Sequence, residues 1–201
     1  MTLHTQLADD LCSTGFHIID NFLQPTSYHA LREALETTYQ QGSFKPAKIG
    51  QKQEKADNTA IRSDQIFWLD KDAGSSAVNN YLAELDKLCH LLNQSLFLGL
   101  MDYEAHFAIY QPNNFYKKHV DQFATTKDRR ISCVYYLNDQ WQKTFGGELI
   151  LYDKNDQPDT KIEPIGNRFV CFNSDIPHEV CTAFQARYSI TAWLKVRPLK
   201  I

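Results

Sequence analysis

From Tyr103 onward, apolar and polar residues alternate in short runs broken by turn residues. EAHFAIY, ISCVYYL, ELILY, RFVCF, HEVCTAF and RYSITAWLKV follow one another with no helical period between them. A period of two marks a strand with one buried face. The breaks carry turn chemistry: Asn113-Asn114, Gly146-Gly147, Lys154 to Pro158, Gly166-Asn167 and Ser174-Asp175. Successive strands at this spacing predict a barrel or jelly roll.

The first half of the chain reads differently. Residues 15–23 (GFHIIDNFL) predict a short strand and a turn. Pro25 and Thr26 open a helix to about Gln41, with Tyr28, Leu31, Leu35 and Tyr39 on one face and Gly42 ending it. A second helix is expected from about Val78 to Phe97, with Leu82, Leu85, Cys89, Leu92 and Leu96 on its apolar stripe. Between them, residues 42–60 are polar, lysine-rich and aperiodic, which fits either a lid or a solvated loop. IRSDQIFWLD, residues 61–70, predicts another strand. The expected architecture is α+β and mainly β, with N-terminal helices on one face of an antiparallel sheet. One domain is expected over 1–201: a helical flank with its loop over 1–100, and a strand core carrying the site over 101–201.

Composition narrows the function. The chain is 43% hydrophobic and 22% charged, as ordinary globular proteins are, and its 12% aromatic content suits a β-rich core. A net charge of −3 argues against a nucleic-acid partner. MTLHTQLADDLC lacks the basic start and apolar run of an export signal, and no stretch nears the roughly 18 apolar residues of a membrane span. Five cysteines, an odd number without a CxxC pair, suit a reducing compartment and free, mostly buried thiols. A cytoplasmic protein is expected.

Three features carry chemistry. His119 and Asp121 flank Val120, and positions i and i+2 of a strand share a face. His178 opens a later strand. Two imidazoles and a carboxylate make the facial triad of non-haem iron(II) oxygenases, which leaves coordination positions open for oxygen. His4, His17, His29, His90 and His106 are not expected to be ligands. In the last strand, Arg187, Ser189, Thr191, Trp193 and Lys195 share one face, and Tyr188, Ile190, Ala192 and Leu194 the other. The first set suits a polar cavity, in which a guanidinium offers a planar fork to a carboxylate.

HVD, GGELILY and PHEVCTAFQARYSITAW, with IRSDQIFW, AIYQPNNFYKKHVD and RISCVYYLNDQW, resemble the 2-oxoglutarate/iron(II) oxygenases of double-stranded β-helix fold over about residues 60–195. TGFHIIDNFL looks similar too. The resemblance is to the prolyl 4-hydroxylase branch, which includes the hypoxia-inducible-factor hydroxylases and a bacterial relative acting on elongation factor Tu. It implies iron(II) on His119, Asp121 and His178, with 2-oxoglutarate and O2 as cosubstrates and ascorbate as a supporting reductant. It implies Arg187 and Tyr136 on the distal carboxylate of 2-oxoglutarate, Tyr110 in the same region, and Thr191 on the cosubstrate or an ordered water. Tyr116 and Trp193 would line the substrate side, and Arg62 and Asp64 would belong to the elements closing over a target peptide, with 42–60 as the lid. The ending LKVRPLKI leads us to expect no C-terminal helical extension of the animal type. The implied substrate is a protein proline, with elongation factor Tu the first choice. Two other readings are an oxygenase for another protein, a small molecule or a nucleic acid, and an inactive peptide-binding module.

Overall fold

In the computed structural model the described residues are 3–47, 60–71 and 75–197, with 3–5 as backbone alone. Three helices precede most of the strands: α1 (Leu3–Ser13), α2 (Pro25–Gln40) and α3 (Ser76–Leu96). Pro25, with its fixed φ, occupies the first turn of α2, where a missing N–H costs nothing. Ser75 caps α3 by accepting from the Val78 N–H at 3.4 Å. Both helices lie where the 3.6-residue period placed them. The segment MTLHTQLADDLC contributes α1, whose Leu7 and Leu11 are buried.

The major sheet is built from β1 (Phe16–Ile19), β2 (Lys45–Pro46), β3 (Gln65–Trp68), β4 (Asp102–Tyr110), β6 (Arg129–Tyr136), β9 (Phe169–Asn173) and β11 (Arg187–Lys195), in the order β1-β9-β6-β11-β4-β3-β2. The minor sheet holds β5 (Tyr116–His119), β10 (His178–Val180), β7 (Leu149–Tyr152) and β8 (Pro158–Ile162), in that order. Neighbours pair antiparallel throughout. The two sheets form the double-stranded β-helix, or jelly roll, that the turn spacing predicts.

The central strands of the major sheet are buried on both faces. Phe107, Ile109, Ile131, Cys133, Tyr135, Ile190, Ala192 and Leu194 pack against Leu31, Leu35, Leu82, Leu85 and Leu92 of the helices. Their alternates Ala108, Tyr110, Val134 and Tyr136 pack against Leu149, Leu151 and Val180 of the minor sheet. The helical layer is therefore a foundation, and the chemistry-bearing face of each strand turns into the space between the sheets.

Several expectations change. HEVCTAF is a strand only to Val180, because the chain then crosses to pair elsewhere: the Gly147 N–H donates to the Thr182 carbonyl at 3.0 Å and the Ala183 N–H to the Asn114 carbonyl at 2.9 Å. Pro158, expected in a turn, starts edge strand β8, in which Ile162 alone is fully buried. The predicted strand over 61–70 shortens to Gln65–Trp68. Cys133 and Cys171 are buried, but Cys89 and Cys181 are half-buried and Cys12 is exposed, all of them free. Of the predicted lid, residues 42–60, the stretch 48–59 lies outside the described residues. Among the described residues no helix is long and apolar enough to cross a membrane.

Candidate active site

His119 ends β5, and His178 opens β10 directly opposite it in the antiparallel register. Asp121 is not on the strand, contrary to the i, i+2 expectation. β5 stops at His119, and the Asp121 and Gln122 N–H groups both donate to the Ser174 carbonyl, at 3.1 and 2.9 Å. That loop turns the carboxylate inward and leaves Val120 exposed. One donor atom from each of His119, Asp121 and His178 lies within 4.8 Å of the others, a group that could hold a metal ion.

The ligand atoms are aimed from behind. Nδ1 of His119 donates to the Lys117 carbonyl at 2.7 Å, and Nδ1 of His178 to the Ile176 carbonyl at 2.9 Å. A carbonyl only accepts, so the proton sits on Nδ1 and the neutral ring presents the Nε2 lone pair to the site. The two Nε2 atoms stand 3.6 and 3.4 Å from the Asp121 oxygens. The Ser132 hydroxyl donates to Asp121 Oδ2 at 2.7 Å and meets the Ser174 hydroxyl at 2.9 Å.

Electrostatics follow from burial and charge. Burial opposes ionisation of Asp121, but the imidazoles, His178 foremost, outweigh it and hold the carboxyl well below its usual range. Burial lowers His119, and the neighbouring His178 lowers it further. Burial also opposes charging of His178, yet Asp121 overrides it and raises the imidazole above its ordinary value.

A second group sits on β11 and its neighbours. Arg187 is 1% exposed; its Nε donates to the Gly147 carbonyl at 2.8 Å and an Nη to the Ser189 hydroxyl at 3.2 Å. The guanidinium carbon lies 4.9 Å from the Tyr110 ring and 5.0 Å from the Tyr136 ring. The Tyr136 hydroxyl is buried without a hydrogen-bond partner among the described residues. Burial raises the Tyr110 and Tyr136 phenols, so both keep their protons. A guanidinium beside an orphaned phenol O–H fits an acceptor such as a carboxylate. Two imidazoles and a carboxylate likewise fit iron(II) with open positions.

The remaining candidates line the same interior. The Tyr116 ring stacks on His119 at 3.6 Å, and the Arg62 guanidinium lies 4.7 Å from Tyr116. Arg62 is clamped by both oxygens of buried Asp64, at 2.6 and 2.9 Å. Thr191 pairs in register with Val134 and His106. The Trp193 ring carries the Arg129 guanidinium on its face at 3.6 Å. Sequence reading missed Ser132, Ser174 and Arg129. Ser132 had a faint signal, a hydroxyl on the inward face of the otherwise apolar run ISCVYYL.

A jelly roll with two histidines and one carboxylate converging between its sheets is the arrangement of a non-haem iron oxygenase. Residues 105–195 match the family described as 2OG-Fe(II) oxygenase superfamily. The chain resembles the structure of a Pseudomonas putida prolyl-4-hydroxylase, at 35% identity and TM-score 0.87, covering 98% of this chain and 100% of that one. It also resembles a Trichoplax adhaerens prolyl hydroxylase in complex with a hypoxia inducible factor oxygen degradation domain peptide, at 30% identity and TM-score 0.85, covering 96% and 89%. The Caenorhabditis elegans hypoxia-inducible factor prolyl hydroxylase is 33% identical over 89% of this chain, which spans only 26% of that protein. This chain belongs to the prolyl hydroxylase branch of the 2OG-Fe(II) oxygenase superfamily, whose cofactors are iron(II) and the cosubstrates 2-oxoglutarate and O2.

Proposed function

We propose that this chain, as one oxygenase domain, is a protein prolyl 4-hydroxylase. The observation that carries it is the His119–Asp121–His178 triad set between the sheets in a chain alike over 98% of its length to a prolyl-4-hydroxylase. In this reading His119, Asp121 and His178 hold iron(II), and Arg187 with the Tyr136 hydroxyl holds the distal carboxylate of 2-oxoglutarate. When bound, iron with 2-oxoglutarate and O2 supplies the oxidising power: one oxygen atom enters the proline C4–H bond, the other ends in succinate, and carbon dioxide leaves.

The chain's own residues do the rest. Ser132 and Ser174 fix the Asp121 carboxylate, while the Lys117 and Ile176 carbonyls fix the imidazoles. Tyr110 walls the cosubstrate side with its ring near Arg187, and Thr191 offers a hydroxyl on the same strand face. Tyr116, braced by Arg62 on Asp64, keeps His119 in place and borders the substrate with Trp193. Exclusion of water strengthens every one of these polar contacts.

The substrate we propose is elongation factor Tu in the cytoplasm, with ascorbate keeping the iron reduced and no nucleic acid involved. Likeness to a bacterial prolyl-4-hydroxylase supports the substrate, and the net charge of −3 argues against a nucleic-acid partner. The test incubates the protein with iron(II), 2-oxoglutarate, ascorbate and elongation factor Tu, and reads the mass gain of one oxygen on a proline. Turnover of a nucleic acid or free amino acid with no proline modified would refute the assignment.

A further inference from the structure

The loop after α3, residues 97–101 (FLGLM), carries the two most exposed large apolar side chains among the described residues, Phe97 at 88% and Met101 at 66%. The loop is firmly held. Asn93 Oδ1 accepts the Leu100 N–H at 2.7 Å, and Asn93 Nδ2 donates to the Leu100 carbonyl at 2.8 Å. The Phe97 N–H donates to the Asn93 carbonyl at 3.2 Å, and the Met101 N–H to the Lys195 carbonyl at 2.8 Å. Leu100 is buried, and Leu98 packs on the helix-side core. The two leucines anchor the loop, so Phe97 and Met101 are displayed by a rigid support.

Phe97 ends α3 in the left-handed region, with φ 54° and ψ 35°. Glycine or asparagine ordinarily takes that position, and a bulky side chain there is strained. Packing within the fold does not offset the strain, because the ring is almost wholly exposed. A strained aromatic that serves no internal contact points to a contact outside the chain. The neighbours set its kind. Lys195 pairs with Asp102 at 3.4 Å and with Glu104 at 2.9 Å, so the strand ends beside the loop neutralise one another. What the loop offers is apolar contact, from two residue types enriched in the cores of interfaces.

The position of the loop names the partner. It stands at the end of the jelly roll that carries the triad: β5 ends at His119, β10 begins at His178, and β4 begins at Asp102, directly after the loop and opposite Lys195 at the end of β11. Ser132, which holds Asp121, is in register with Trp193 and through it with Glu104. Met101 therefore lies three residues beyond that level and two strands to the side, about 10 Å in each direction, which about four residues of extended chain would span. Resting on the prolyl hydroxylase reading, we propose that Phe97 and Met101 form an exosite for the protein substrate, taking an apolar side chain about four residues from the target proline. The exosite selects a proline by what stands near it in sequence and leaves the chemical step untouched.

The test compares wild type with the double variant Phe97→Asn, Met101→Gln on whichever of full-length elongation factor Tu and a hypoxia-inducible-factor oxygen degradation domain peptide the wild type hydroxylates. Asparagine suits the left-handed position, so the variant should keep or raise the urea midpoint of the fold. Its KM for the protein substrate should rise about tenfold or more, with kcat and the 2-oxoglutarate constant unchanged. Leucine at both positions should hold KM within about threefold of wild type. In the substrate, each apolar residue three to six positions from the proline is replaced by serine, one at a time. One replacement should raise the wild-type KM about tenfold and that of the polar variant less than about twofold, as a shared contact requires. Met101→Gln alone gives the same reading should the double variant fail to fold. A folded polar variant with wild-type KM, or a raised KM coupled to no substrate position, overturns the exosite and leaves the proposed function standing; a sedimentation coefficient that falls in that variant would assign the loop to a second copy of the chain instead. Hydroxylation of neither substrate by the wild type overturns both.

Discussion

Each ligand of the triad is restrained by a neighbour: backbone carbonyls of Lys117 and Ile176 hold the two imidazoles, and buried hydroxyls hold Asp121. Ser132 and Ser174 are both fully buried and spend their hydroxyls on Asp121 and on each other. Asp121→Ala should therefore abolish metal-dependent turnover and lower iron(II) affinity by well over tenfold, measured by titration of the apo-protein; unchanged affinity would show that the metal binds elsewhere. Metal and proton compete for His178. Its pKa is raised, so protonation persists to higher pH than in a free histidine, and a protonated ring cannot ligate. Metal affinity should fall with decreasing pH, beginning above the ordinary histidine range, and a pH-independent affinity through that range would contradict this. At Arg187, loss of a charge-assisted bond to a buried carboxylate costs about 1.5–3 kcal/mol. Arg187→Ala should raise the 2-oxoglutarate constant roughly 10- to 150-fold, read from initial rates against cosubstrate concentration.

Among elements, the tight crossing of the Gly146-Gly147 turn with residues 182–184 shapes the floor under Arg187. Gly146 and Gly147 have φ of +66° and +68°, conformations that side chains rarely adopt. A Cβ on Gly146 would lie 2.3 Å from the Thr182 carbonyl oxygen, and one on Gly147 would lie 3.0 Å from Cδ of Arg187. Gly146→Ala should destabilise the fold by about 1–3 kcal/mol or more, seen as an earlier urea midpoint. Gly147→Ala should in addition raise the 2-oxoglutarate constant, because the same residue carries the carbonyl that receives Arg187 Nε. If cosubstrate binding in this variant matched wild type, the turn would not position the arginine.

At the scale of the whole molecule, two cores share one sheet. The helical layer packs one face of the major sheet and the minor sheet packs the other, so stability and chemistry are set on opposite sides. Leu85 of α3 is fully buried in the helix-side core. Leu85→Ala should cost about 2–5 kcal/mol, measured by denaturant unfolding, while the folded protein keeps its 2-oxoglutarate constant. A large change in that constant would mean the two sides are coupled more tightly than their separation implies.

Most of the strands, the two longer helices, the residue types of the triad and the inward face of Arg187 could be read along the chain, since period and residue chemistry are local properties. EAHFAIY, ISCVYYL and RYSITAWLKV each carry their own alternation, and the structure resolves it into two buried faces, one packed on the helices and one on the minor sheet, rather than one buried and one exposed. The edge strand Pro158–Ile162 is mostly exposed and polar, so it left no period to read. HEVCTAF alternates yet stops as a strand at Val180, because its partners beyond that point come from Asn114 and Gly147. The His178–His119 register, the loop that turns Asp121 inward and the Ser132–Ser174 support were decided by tertiary structure alone. Each of these depends on contacts between residues far apart in sequence, and packing and hydrogen-bond satisfaction, rather than local periodicity, choose among such contacts.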